Sequence, residues 1–274
     1  MLNTPFTGWP LYSEEEGNIV KEVLLQNDVN YRTGTRGFKF EKEFAAWTGS
    51  KYAVSVANGT VALDLALVAL EVGPGDEVIV SPRTFFASAS TIVTAGAVPI
   101  FAEVDPDSQN ITADSIKKVL TSKTKAIICV HHAGWPCDMD PIMKLAEENY
   151  LKVIEDCAQA HGARYKGRSV GSIGHVGAWS FCQDKIMTIG GEGGMVTTNN
   201  EELRKKMWSY RDHGKVFNPD FHLKIPKNKN TNGHGSHISF GTNWRLTEMQ
   251  SALGRYQIKQ MPVWSRKRRV NCQR

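Results

Sequence analysis

From residue 50 onward the chain alternates short β-branched runs with apolar or amphipathic stretches of helical length. KYAVSVA, DEVIVSP, VPIFAEVD, KAIICVHHAG, LKVIEDCAQ, HVGAWSFC and EGGMVTTN read as strands. Between them GTVALDLALVALEV, FASASTIVTAGA, ITADSIKKVL, DMDPIMKLAEENY and EELRKKMWSYRD read as helices, and LTEMQSALGRYQIKQM returns to helical spacing. GTVALDLALVALEV is apolar almost throughout, which predicts a helix buried on all sides. Strands separated by helices require crossover connections, so the pattern predicts an α/β fold with a mostly parallel central sheet and helices on both faces. Residues 1–40 are polar and read as irregular, and residues 218–244, rich in Asn, Gly, Lys and His, read as a loop.

Composition changes this picture little. The chain of 274 residues is 41% hydrophobic and 22% charged, ordinary for a soluble globular protein. No apolar run reaches the ~18 residues of a membrane span, and the N-terminus lacks the basic-then-apolar pattern of a secretory signal. The cysteines at 129, 137, 157, 182 and 272 are odd in number and without metal-type spacing, so free thiols and a cytoplasmic location are expected. The net charge of +5 resides in the last eleven residues, WSRKRRVNCQR; without them basic and acidic side chains balance. That cluster has no interleaved aromatics and reads as a solvated helix end rather than a nucleic-acid footprint. The histidines of NGHGSH lack an accompanying ligand set, so no metal site is expected.

Open parallel sheets bind ligands beyond the carboxyl ends of their strands. Polar residues follow strands at four places: Asn58-Gly59-Thr60, Thr84-Phe85, Asp156 with Gln159, and Ser180 with Lys185. Taken singly, each has a plain structural reading: Gly59-Thr60 and Asp156 as helix caps, Lys185 as a surface lysine before a glycine-rich turn. Together they describe a phosphorylated aromatic cation joined to a lysine. Thr60 and Ser180 would hold the phosphate, Phe85 would cover a flat ring, Asp156 would pair with its protonated nitrogen, and Lys185 would form an imine. Pyridoxal 5'-phosphate meets that description. On this reading Lys185 ends a strand so that it reaches the ligand crevice, and the adjacent glycines let backbone pass close beside it.

FEKEFAAWTGSKYAVSVANGTVALDLAL, GPGDEVIVSPRTFFAS, VIEDCAQAHGA, SFCQDKIMTIGGEGGMVTTN and GTNWRLTEMQSALG resemble, in order, the blocks of the DegT/StrS-type nucleotide-sugar aminotransferases. The resemblance implies an aspartate-aminotransferase-like fold, divided as an N-terminal arm and substrate loop (1–40), a cofactor-binding large domain (41–245) and the start of a C-terminal segment (246–274). It implies that Lys185 forms the Schiff base and moves the proton, that Asp156 holds the pyridine nitrogen, and that Gln159 sits beside the ring hydroxyl. Gly59, Thr60 and Ser180 match phosphate contacts and Phe85 the stacking aromatic. Asn243 matches an asparagine that reaches the neighbouring subunit's phosphate, which implies a homodimer with shared sites. The implied reaction moves an amino group from L-glutamate to a keto group of a nucleotide-linked, 4-keto-6-deoxy sugar in polysaccharide biosynthesis.

Three departures from the family pattern stand out. Asn58 replaces the usual serine, CQD replaces the residues that ordinarily precede the lysine, and the sequence is shorter than family members, so the C-terminal small domain is expected to be largely missing from it. Two other readings follow from the same scaffold: a sugar dehydratase, which carries histidine in place of Lys185, and a cofactor-binding sensory module without catalysis. A NAD-dependent dehydrogenase would need a GxGxxG fingerprint that is absent. Arg32, Arg36, His131 and His132 are loop residues in reach of a sugar or diphosphate on this reading.

Overall fold

The computed structural model describes residues 8–218 and 236–273. Two helices, α1 (Glu14–Leu25) and α2 (Arg36–Thr48), precede the first strand, β1 (Tyr52–Val56). Helices and strands then alternate through α3 (Gly59–Ala69), β2 (Glu77–Val80), α4 (Ala87–Thr94), β3 (Val98–Phe101) and α5 (Ala113–Val119). The run continues with β4 (Thr124–Val130), α6 (Met139–Glu148) and β5 (Lys152–Asp156). A small hairpin, β6 (Arg164–Tyr165) with β7 (Arg168–Ser169), leads to β8 (Val176–Ser180), β9 (Gly194–Thr198), α7 (Glu201–Arg211) and α8 (Glu248–Cys272).

Seven strands form one sheet in the order β1-β9-β8-β5-β4-β2-β3. The pairs β2–β3, β2–β4, β4–β5 and β5–β8 are parallel, and only β9 runs against its neighbours. The carboxyl ends of β1, β8, β5, β4 and β2 therefore share one rim. The two-residue side-chain period of a strand divides the core into layers. In β4, Ala126, Ile128 and Val130 face the layer containing α3, while Ile127 and Cys129 face the layer containing α6. Helix α3 buries Ala62, Leu63, Leu65, Ala66, Leu67 and Ala69 against β8, β9, α4 and α7, as its apolar sequence predicts. On the opposite face Phe40 and Phe44 of α2 pack with Trp179, Phe181, Leu253, Ile258 and Met261.

The irregular reading of residues 1–40 is corrected. Ser13 and Glu16 form a capping box that starts α1, and α2 begins at Arg36. Helix α1 buries chiefly Glu16 and Val23 and is otherwise polar, so its hydrophobic period is weak; it is held by tertiary contacts such as Gln257 Nε2 donating to Glu16 Oε1 (2.8 Å). Glu248 Oε2 and Oε1 accept from the backbone N–H of Arg36 (2.6 Å) and Gly37 (2.7 Å), supplying a distant cap to α2. The basic C-terminal run is the exposed end of α8, as expected. Most of the 218–244 loop, including two of its histidines, lies at 219–235, outside the described residues; its described flank carries isolated bridges, Lys215–His237 and Asp212–Asn243. No described helix is long and apolar enough to cross a membrane.

Candidate active site

Asp156 is the last residue of β5, and its carboxylate is buried at the shared rim. Ser88, in the first turn of α4, donates its hydroxyl to Asp156 Oδ2 (2.7 Å), and the Ala158 N–H donates to Oδ1 (3.1 Å). Burial pushes this carboxyl above its ordinary range, against the opposing pull of those two hydrogen bonds and of the Lys185 charge. The result is a desolvated anion held by neutral donors, a group whose burial cost a cationic partner would offset. Ser88 was not singled out from the sequence. Its signal is the four-residue spacing from Thr84, whose hydroxyl it meets at 2.8 Å, extending the network from the β2 loop to Asp156.

Gly59 opens α3, after Asn58 caps the helix by accepting from Val61 N–H (3.0 Å). A Cβ at Gly59 would lie 2.5 Å from Ser180 Cβ, so only glycine lets the helix N-terminus abut the end of β8. Ser180 is buried there, with its hydroxyl accepting from Cys182 N–H (3.3 Å). Thr60 is exposed on the first turn. The unsatisfied amides of such a turn form a natural anion cradle, here built against a serine hydroxyl.

Lys185 does not end a strand. β8 stops at Ser180, and Lys185 lies within a loop closed by backbone hydrogen bonds from Phe181 to Gly193 (2.7 Å) and from Gln183 to Gly191 (3.0 Å). Gly190 and Gly191 take positive φ (94° and 114°), which is where the glycines are needed. The lysine side chain is only 19% exposed, its Nζ pairs with Asp184 at 2.9 Å, and its charge is felt at both Asp156 and His161.

The remaining candidates lie around this centre. Gln159 accepts from Ala133 N–H (2.7 Å) on the β4 loop. Phe85 is 71% exposed and presents a ring unclaimed by the core. Asn243 is exposed and bridges Asp212; its neighbour Trp244 accepts from Ala57 N–H (2.9 Å), just before Asn58. Of the loop cations, Arg36 donates to Gln26. His131 is fully buried, so it is no substrate contact: its Nδ1 accepts from Cys137 N–H (3.1 Å) and its Nε2 donates to Glu155 (3.0 Å). Glu155 also accepts from the N–H groups of Gly171, Ile173 and Gly174, so the cluster His131, Glu155 and Cys157 has its carboxylate and imidazole already committed to the fold.

The sequence pattern of the DegT/DnrJ/EryC1/StrS aminotransferase family matches residues 10–274. GDP-perosamine synthase of Caulobacter vibrioides is 42% identical over 248 residues, 90% of this chain and 63% of that one. The crystal structure of an aminotransferase from Psychrobacter cryohalolentis superposes with a TM-score of 0.92 at 60% identity, covering 98% of this chain and 67% of the other. DesV of S. venezuelae superposes at 0.81 with 36% identity, covering 91% and 62%. The chain thus spans about two thirds of the length of these relatives. With its matching order of blocks, its sheet and its rim of polar residues, the chain belongs to the DegT/DnrJ/EryC1/StrS aminotransferase family.

Proposed function

We propose that this chain is the cofactor-binding part of a pyridoxal 5'-phosphate-dependent aminotransferase that moves an amino group from L-glutamate to the keto group of a nucleotide-linked, 4-keto-6-deoxy sugar. The observation that carries the reading is the joining, on one rim, of a buried carboxylate at Asp156, a Cβ-free helix start at Gly59 against Ser180, and the largely sheltered cation of Lys185. These residues fit the cofactor: among the described residues no cation pairs directly with Asp156, a place a ring N–H would fill, and the α3 amides with Thr60 and Ser180 suit a phosphate. When bound, the cofactor supplies an aldehyde and an electron-accepting ring.

The chain's own groups do the rest. With the cofactor bound, Asp156 would pair with the ring nitrogen, and Ser88 would orient the carboxylate for it. Lys185 Nζ would take the proton from the donor carbon and return it to the sugar carbon, while Phe85 and Gln159 would help hold the ring. GDP-perosamine synthase and the sugar transaminases among the relatives support a nucleotide-linked acceptor. Asn243, exposed in one chain, is read as completing the phosphate site of a second copy in a homodimer. We read residues 41–245 as the large domain, flanked by the arm 1–40 and the segment 246–274, in a cytoplasmic protein. Adding pyridoxal phosphate should produce a visible to near-ultraviolet band that L-glutamate discharges with formation of 2-oxoglutarate. Borohydride reduction and peptide mapping should place the pyridoxyl tag on Lys185, and Lys185→Ala should abolish the band. A tag on another residue, or an unchanged band in the variant, refutes the assignment.

A further inference from the structure

Beside Asp156, on the flank towards β2 and β4, three loops meet around Arg83. The turn after β2 is closed by Ser81, whose hydroxyl accepts from Arg83 N–H (3.0 Å) and donates to Arg83 C=O (3.2 Å). Arg83 Nε donates to His132 Nε2 (3.0 Å), and Nη1 donates to Gln109 Oε1. The buried Asn110 ties these loops together, accepting from His132 N–H (3.3 Å) and donating to Trp135 C=O (2.9 Å). Thr84, next in the chain, continues through Ser88 to Asp156, and Ala133 holds Gln159, so the cluster is built into the wall of the candidate site.

Both acceptors that lock the guanidinium are neutral. Gln109 carries no charge, and His132 accepts through Nε2, with burial and the Arg83 charge holding it below the ordinary imidazole range. Among the described residues no carboxylate pairs with Arg83, and its Nη2 has no hydrogen-bond partner. His132 Nδ1, the nitrogen that carries the proton in this tautomer, is likewise buried without an acceptor. An exposed arginine is ordinarily left to solvent. Here one is immobilised by two side chains that leave its charge uncompensated, which is the arrangement of a preorganised anion receptor. A single planar fork matches a carboxylate in charge and geometry. Phe85 and Trp135, 71% and 64% exposed, add apolar surface on the same loops.

We propose that Arg83, braced by His132 and Gln109, binds the carboxylate of a substrate at the rim of the site. The reading of the chain as an aminotransferase supplies one source, the amino donor; the other source, an acidic nucleotide-linked sugar, would stand in place of the 6-deoxy acceptor proposed above. The test uses the whole chain loaded with pyridoxal phosphate and follows tryptophan fluorescence and calorimetry. Glutarate, a dicarboxylate with no amine to transfer, probes the donor source; UDP-glucuronate against UDP-glucose probes the sugar source. Arg83→Gln should weaken one of the two acids at least tenfold, with Arg83→Lys recovering only part and Gln109→Ala giving a smaller loss, while the cofactor band and melting temperature hold. Loss confined to glutarate assigns the donor; loss of the preference for UDP-glucuronate over UDP-glucose assigns the sugar. Equal binding of both acids by Arg83→Gln and the parent protein, failure of the parent to bind either, or a parallel loss of UDP-glucose, which points to phosphate, would overturn the carboxylate assignment. Absence of any cofactor band would instead count against the proposed function, because glutarate binding is read separately.

Discussion

His161 is buried between the rings of Trp179 (centroids 5.5 Å apart) and Phe181 (5.8 Å), and among the described residues neither ring nitrogen has a well-formed hydrogen bond. Burial, reinforced by the nearby charges of Lys185 and Arg268, pushes its pKa down to about 3. In the unfolded chain the same imidazole takes up a proton as pH falls through about 6.5. The native state therefore binds fewer protons than the unfolded state across that window, and stability is lost as pH falls from about 6.5 towards 3. Phenylalanine fills similar space without a titratable nitrogen. His161→Phe should leave stability at pH 7.5 within about 1 kcal/mol of the parent and exceed it by about 2–3 kcal/mol near pH 4.5. Urea unfolding at both pH values checks this; a gap between the two proteins that does not change with pH counts against it.

At the level of elements, the outer edge of β1 poses a distinct problem. Among the described residues β1 pairs only with β9, and an unpaired strand edge is a template for unwanted strand addition. An ion pair from two helices occupies that edge. Glu41 of α2 accepts from Ser55 N–H (2.9 Å), and Arg211 of α7 donates to Ser55 C=O (2.8 Å) and to Glu41 (2.8 Å). The guanidinium also lies 4.2 Å over the Tyr31 ring, and Ser55 Oγ donates to Glu41 (2.8 Å). Two residues on, Trp244 C=O takes the Ala57 N–H, so the edge is answered up to the start of α3. Both charges are buried, and removing one strands the other. Arg211→Met should cost about 3–5 kcal/mol, and pairing it with Glu41→Gln should recover part of the loss. Denaturant midpoints at unchanged m values would measure both, and a double variant no better than the single would contradict the account.

For the whole molecule, the testable proposal is the sharing of sites between two copies. Asn243 is exposed, and its proposed role needs a partner. Asn243→Ala should weaken cofactor binding without touching Lys185, and Lys185→Ala should remove the cofactor band while leaving Asn243 intact. Mixing the two variants after reversible dissociation creates dimers in which one lysine meets an intact asparagine from the other chain. Tight cofactor binding should return in the mixture, and its failure to return despite mixed dimers being present would place Asn243 outside the site.

Much of this was legible in the chain itself. Short apolar runs such as AIICV of β4 and the apolar α3 specify strands and a buried helix locally, and their alternation dictates a parallel sheet with a ligand rim. The positions of Gly59, Asp156, Ser180 and Lys185 followed from ends of those runs, although Lys185 sits in a loop beyond its strand because backbone bonds from Phe181 and Gln183 close that loop on the glycines. Helix α1 was hidden because one narrow face is buried, and what holds it comes from α8, over two hundred residues away. Ser88 beside Asp156, the enclosure of His161, the Glu41–Arg211 edge and the bracing of Arg83 likewise join residues from separate elements. Local periodicity determined the layers and the rim, because it acts through neighbours in sequence. Which side chains meet at that rim, and which charges are left without a counterion, was decided only by packing, because those contacts span the crossover connections.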